Sequence, residues 1–258
     1  MQFLISSFLE NVISFLEELF VRISKQNYRK KKIDLWIYND YDQNDNVVDI
    51  FLKNFKSEYK SVSIFKSDVN LDKKEMRVKS VEDCVAKKCD YYLSLDGIAH
   101  LDHPDTINLL MAYDKAIVAP LIIWPYTMFS NFWGAITPDG KYEKSAVQQE
   151  FLKRVRVCLW NVPCVAFVYL IQAKLLKNML EKQSFNYNEQ TMFSLCDYAR
   201  NNDIFIYVSN LFNYGHLKVD YDPDRFHNDL YQLDSNRYDW EQRYVHPDYY
   251  KALQPNAK

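Results

Sequence analysis

The sequence predicts an α/β fold, a mostly parallel sheet with helices on both faces. Strand-like and helix-like segments alternate from residue 33 to residue 95, which is the pattern of strands joined by helical crossovers. Hydrophobic residues make up 48% of the 258 positions and charged residues 26%, a composition that can bury a single large core.

The elements follow in order. From Phe8 to Ile23, apolar residues at 8, 9, 12, 13, 15, 16, 19, 20 and 23 predict a helix with a broad buried face. Ile33 to Tyr38 reads as a strand, and Val47 to Tyr59 as an amphipathic helix presenting Val48, Phe51, Leu52, Phe55 and Tyr59. Ser61 to Phe65 is the next strand, Lys73 to Lys88 a weaker helix, and Tyr91 to Leu95 a strand that runs into Asp96. Pro104 suits a first helical position and Asp105 the positive end of the helix dipole, with Ile107, Leu110 and Met111 facing inward. Ala116 to Ala119 and Cys164 to Ile171 are expected strands, Lys174 to Lys182 and Gln190 to Asn201 helices, and Ile204 to Val208 the last strand. Residues 220–258 are polar and aromatic and are expected to wrap the surface of one domain spanning 1–258.

A formal charge of -2 argues against a polyanion-binding surface, so no nucleic-acid partner is expected. Arg29 to Lys32 is the densest basic run, and its place just before a strand makes it a solvated turn. Glu10, Glu17 and Glu18 interrupt the amino-terminal apolar stretch, which therefore does not read as a secretory signal peptide. Prolines at 120 and 125 break the longest uncharged stretch, which argues against a transmembrane helix. Only four glycines occur: Gly140 closes the turn-like Thr137-Pro138-Asp139-Gly140, while Gly97, Gly134 and Gly215 suit close backbone approach.

Five cysteines leave at least one unpaired. Cys84 and Cys89 are close enough in sequence to close a small loop in an oxidising compartment, whereas Cys158, Cys164 and Cys196 sit in apolar stretches and read as buried thiols. No paired C-x-x-C spacing supports a zinc site. His-x-Asp occurs at His103-Pro104-Asp105 and at His246-Pro247-Asp248, but a proline after the histidine favours a helix start or a turn over an iron-binding strand.

Candidate ligand-site residues come from two places. Asp96 ends a strand, where open α/β sheets gather ligands. Trp133 beside Asn131, and Trp160 beside Asn161, pair an aromatic face with an amide, which suits stacking on a ring or equally a core turn.

The segments YYLSLDGIAHLDHP (91–104), IVAPLI (117–122), SNFWGAITPDGKY (130–142), WNVP (160–163), YGHL (214–217) and DWEQRYVHPDYYKAL (239–253) resemble the procollagen lysyl hydroxylases. The resemblance covers nearly the whole chain and is to their central accessory domain, which has a glycosyltransferase A-type fold. It implies an endoplasmic-reticulum lumen location, flanking catalytic domains or procollagen chains as partners, and a homodimer in the parent protein. The family's Fe(II), 2-oxoglutarate and ascorbate chemistry belongs to a domain outside this segment, so no cofactor is expected here.

The departures matter as much. Where the family keeps an Asp-X-Asp remnant this chain reads Asp96-Gly97-Ile98, and an acidic stretch before the Cys196 helix is replaced by Gln190-Thr191-Met192. A divalent cation on a diphosphate needs hard oxygens from more than one side chain, and Ile98 supplies none. The resemblance therefore implies a noncatalytic domain that positions catalytic neighbours, with Asp96, Asn131, Trp133, Trp160, Asn161 and His216 as a vestigial ligand site. The alternative is a working metal-dependent glycosyltransferase acting on collagen hydroxylysine, with the missing ligand drawn from His216 or Asp102.

Overall fold

The computed structural model describes residues 1–11, 13, 15–68, 71–124, 129–181 and 193–218. The expected wrapping tail, the Gln190-Thr191-Met192 replacement and His246-Pro247-Asp248 lie outside the described residues. The chain runs β1 (Phe3–Leu9), α1 (Leu16–Ser24), β2 (Ile33–Asn39), α2 (Asp45–Phe55), β3 (Ser61–Lys66), α3 (Lys73–Ala86), β4 (Tyr91–Asp96), β5 (Ala99–Leu101), α4 (Thr106–Ala112) and β6 (Ile117–Pro120). It continues through β7 (Phe132–Trp133), β8 (Ala135–Ile136), β9 (Tyr142–Glu143), α5 (Ala146–Leu152), β10 (Leu159–Val162), β11 (Cys164–Val165) and β12 (Val168–Gln172). Helices α6 (Ala173–Glu181) and α7 (Ser194–Asn201) and strands β13 (Ile206–Ser209) and β14 (Gly215–Leu217) complete it.

Eight strands form the central sheet in the order β10-β13-β6-β12-β4-β1-β2-β3. The pairs β3/β2, β2/β1, β1/β4 and β6/β13 are parallel, while β12 runs antiparallel to both β4 and β6, and β10 antiparallel to β13. Alternation along β1 splits the core: Phe3, Ile5 and Leu9 join α1, α2 and α4 on one face, while Leu4 and Phe8 join α3, α5, α6 and α7 on the other. Helices α1 and α3 thus cover opposite faces. That is the α/β architecture expected, with helices on both sides of a mostly parallel sheet.

Two expectations are corrected. The first helix begins at Leu16, and residues 3–9 form β1, a strand fully buried between β2 and β4. A strand covered on both faces loses apolar alternation, so its end at Phe8 and Leu9 blended with the helical period that follows. The single strand expected from Cys164 to Ile171 splits, because Phe167 turns through left-handed backbone (φ 62°) and sends β11 and β12 into different sheets.

The remaining landmarks agree in kind. Arg29 to Lys32 is a short turn before β2, with Lys30 paired to Glu58. Helix α3 starts with a capping box between Asp72 and Glu75. His103-Pro104-Asp105 is a helix start, with the Asp105 N–H donating to His103 Nδ1 at 3.1 Å. Among the described residues no helix is long and apolar enough to cross a membrane.

The disulfide joins Cys164 on β11 to Cys196 on α7, which corrects the reading of both as thiols. Cys84 and Cys89 are free and buried, with the Cys89 N–H donating to the Cys84 carbonyl at 3.1 Å. They are neighbours, as their spacing suggests, but as free thiols rather than as a disulfide. Cys158 is exposed, not buried.

Candidate functional site: the carboxyl edge of the sheet

The strand order reverses between β1 and β4, so the crevice at their carboxyl ends is the place where an open α/β sheet receives a ligand. Three carboxylates stand there: Glu10 after β1, Asp40 after β2 and Asp96 at the end of β4. Backbone contacts fix their spacing, since the Gly97 N–H donates to the Phe8 carbonyl (2.9 Å), the Asp40 N–H to Leu9 (3.1 Å) and the Asp96 N–H to Phe167 (2.8 Å).

Helix α3 supplies the cations that face these acids. Arg77 contacts Glu10 Oε1 through Nη2 at 2.9 Å and through Nε at 3.0 Å, and reaches Asp96 Oδ2 at 3.7 Å. Its guanidinium lies over the Phe8 ring, 4.2 Å from the centroid. Burial opposes the Arg77 charge, but Glu10 outweighs it and Asp96 adds to the effect, so its pKa is raised and the group stays protonated. Lys73 Nζ lies 3.1 Å from Asp40 Oδ2 and donates to the Glu10 carbonyl at 2.9 Å, and the Tyr38 hydroxyl donates to Asp40 Oδ1 at 2.8 Å.

Asp96 keeps 23% of its side-chain exposure. Burial pushes its pKa up to about 6, against the opposing pull of Arg77 and of the Ile98 N–H, which donates to Oδ1 at 3.2 Å. A carboxylate that serves a divalent cation needs partners of its own sign around the ion. Here the neighbouring position two residues on is the apolar Ile98, and the group facing Asp96 is a guanidinium. Glu10 and Asp96 already share an internal cation, Arg77, and a metal would have to displace it.

The other expected site residues go elsewhere. Asn131 is fully buried and clamps the backbone: Oδ1 accepts from Ile122 N–H at 3.0 Å and Nδ2 donates to the Pro120 carbonyl at 2.8 Å. Trp133 meets Phe193 edge-on at 5.0 Å, and Trp160 meets Phe151 edge-on at 5.1 Å. Asn161 donates to the Ile206 carbonyl at 3.0 Å across β10 and β13. These four serve packing and sheet pairing.

His216 and Asp102, the two proposed substitutes for the missing ligand, are bound to each other, Nδ1 to Oδ2 at 2.7 Å. They sit on the β5/β14 ribbon beside α1, while Asp96 faces α3 on the opposite side of the sheet. Gly215 is required in this ribbon, because a Cβ there would overlap the His100 carbonyl. Arg77 and Glu10 were missed in the sequence. A basic residue on the inward face of a helix that leads into the Asp96 strand was the available signal.

The mostly parallel sheet with this switch point matches the glycosyltransferase A-type fold of solved glycosyltransferases. Its solved counterparts include S. aureus TarS 1-349 in complex with UDP-GlcNAc, with TM-score 0.55 and 13% identity over 86% of this chain and 60% of that one. Another is the mannosyltransferase PcManGT from Pyrobaculum calidifontis in complex with GDP-Man and Mn2+, with TM-score 0.52 and 11% identity over 84% of this chain and 54% of that one. Residues 70–236 match glycosyltransferase family 25, N-terminal domain, and the chain belongs to that family. It is also similar to procollagen-lysine,2-oxoglutarate 5-dioxygenase 1 of Gallus gallus, 33% identical over 97% of this chain and 35% of that protein. A Caenorhabditis elegans relative, the multifunctional procollagen lysine hydroxylase and glycosyltransferase, is 32% identical over 96% of this chain and 35% of its own length. The chain thus spans about a third of the curated relatives it matches.

Proposed function

We propose that this chain is a glycosyltransferase-fold domain that no longer transfers sugar and instead positions the catalytic domains of a lysyl-hydroxylase-type protein on collagen. The observation that carries the reading is Arg77, which neutralises Glu10 and Asp96 in the crevice where a cation and a nucleoside diphosphate would otherwise be held. Ile98 in place of a second strand-end acid points the same way. In this reading the chain needs no Fe(II), 2-oxoglutarate or ascorbate, works in the endoplasmic-reticulum lumen, and has flanking domains, procollagen chains or a second copy as partners.

The name of the Caenorhabditis elegans relative favours a second reading, a working transferase in which Arg77 moves aside and Asp96 binds metal. The two part in a transfer assay with purified chain, Mn(II), a uridine diphosphate sugar and a hydroxylysine-containing collagen peptide. The positioning reading expects no glycosylated peptide by mass spectrometry. Turnover abolished by Asp96→Ala would establish the second reading.

A further inference from the structure

On the face opposite Asp96, the β5/β14 ribbon packs against α1 and brings together Glu18, His100 and His216. One ligand atom from each lies within 4.8 Å of the others. His100 and His216 are register partners across the ribbon, and their rings are tilted by 30° with centroids 5.5 Å apart.

His100 is the informative member. It is fully buried, and neither ring nitrogen has a hydrogen-bond partner among the described residues. A neutral imidazole always carries one N–H donor and one lone pair, so such burial calls for an occupant that accepts or supplies a bond.

The surroundings are those of a built site. Asp102 binds Nδ1 of His216 at 2.7 Å, the carboxylate–histidine arrangement that fixes the tautomer and directs Nε2 toward a metal. Asp102 is itself paired with Arg22. Glu18 accepts from Arg22 Nε at 3.1 Å and from the Lys218 ammonium. A cavity of about 300 Å³ lined by Glu18, Arg22, Lys25 and Asp102 opens beside the cluster and offers a path from solvent.

We propose that Glu18, His100 and His216 form a binding site for a divalent first-row transition ion of zinc-like preference. Two imidazoles and one carboxylate are the donor set of zinc sites that keep a fourth position for water. The cavity beside Glu18 would supply that water. Arg22 on Oε1 and Lys218 on Oε2 of Glu18 are the competing charges; an ion on Oε2 displaces the Lys218 ammonium, which already lies 3.9 Å from the centre of the Phe15 ring and keeps that contact, while Arg22 retains Asp102 and Oε1. The site is independent of the Asp96 crevice, so its presence does not depend on whether the domain transfers sugar.

Co(II) is the probe. Titrated into the purified chain, it is expected to bind once per chain and to give the visible d–d absorption of a four-coordinate site without a thiolate-to-cobalt charge-transfer band, which separates this site from the free cysteines. His100→Ala should abolish the band, Asp102→Asn should weaken binding about 10-fold to 100-fold, and Lys218→Ala should tighten it. Circular dichroism of each variant checks folding. No saturable Co(II) or Zn(II) binding, or binding that both His100→Ala and Asp102→Asn leave unchanged, overturns the proposal.

Discussion

Asp96→Asn should stabilise the protein at neutral pH. In a metal-dependent transferase the ionised Asp96 would be required, whereas here it is a desolvated carboxylate whose pairing with Arg77 at 3.7 Å does not offset its burial. Its pKa rises from 3.8 to about 6 on folding. The folded chain therefore holds the proton more tightly than the unfolded chain, and stability from this group falls as pH rises from about 4 to about 6 and is flat above. At ~1.36 kcal/mol per pH unit that gap corresponds to about 3 kcal/mol, which the remaining exposure reduces to about 2 kcal/mol. Asn keeps the size and the acceptor for the Ile98 N–H but carries no charge. Urea unfolding followed by tryptophan fluorescence should place Asp96→Asn about 2 kcal/mol above the parent at pH 7.5 and less than ~1 kcal/mol above it at pH 4.5. Destabilisation at pH 7.5, or a gain equal at both pH values, would refute the reasoning and show that Asp96 is worth more charged than neutral.

Asn131→Ala should cost about 2–4 kcal/mol, because it leaves the buried Ile122 N–H and Pro120 carbonyl unpaired; the urea midpoint measures it, and a loss under about 0.5 kcal/mol would mean that the clamp is not in place. Peptide mapping without reduction should recover Cys164 linked to Cys196, with Cys84 and Cys89 alkylated as thiols. Removing that link with Cys164→Ser should lower stability by about 4 kcal/mol, since it closes a 32-residue separation; a linked Cys84–Cys89 fragment would contradict the assignment.

The run from β2 to β4 was legible because each element announces its own period, and Asp96 was placed correctly at the sheet edge for the same reason. β1 was not, because a strand buried on both faces with Ser6 and Ser7 at its centre has no alternation to read. The disulfide was missed because proximity in sequence favours Cys84 and Cys89, while Cys164 and Cys196 meet only when α7 packs beside β11. Asp102 and His216 lie 114 positions apart, and the three-residue strands that join them are too short to announce themselves. Asn131 and Trp133 carry a residue pattern that serves a ligand or a buried turn equally, and only the partners of each atom decide between the two.

In the proposed reading Arg77 occupies the crevice in place of a metal and nucleotide. Isothermal titration calorimetry of the chain with Mn(II) and a uridine diphosphate sugar, together and separately, tests it most directly, alongside Asp96→Ala. Mn(II) that occupies the histidine cluster alone would give the same heat with or without the sugar nucleotide and would persist in Asp96→Ala. No saturable heat that requires both ligands is expected; micromolar, metal-dependent nucleotide binding that Asp96→Ala abolishes would mean that the crevice still holds a metal and nucleotide.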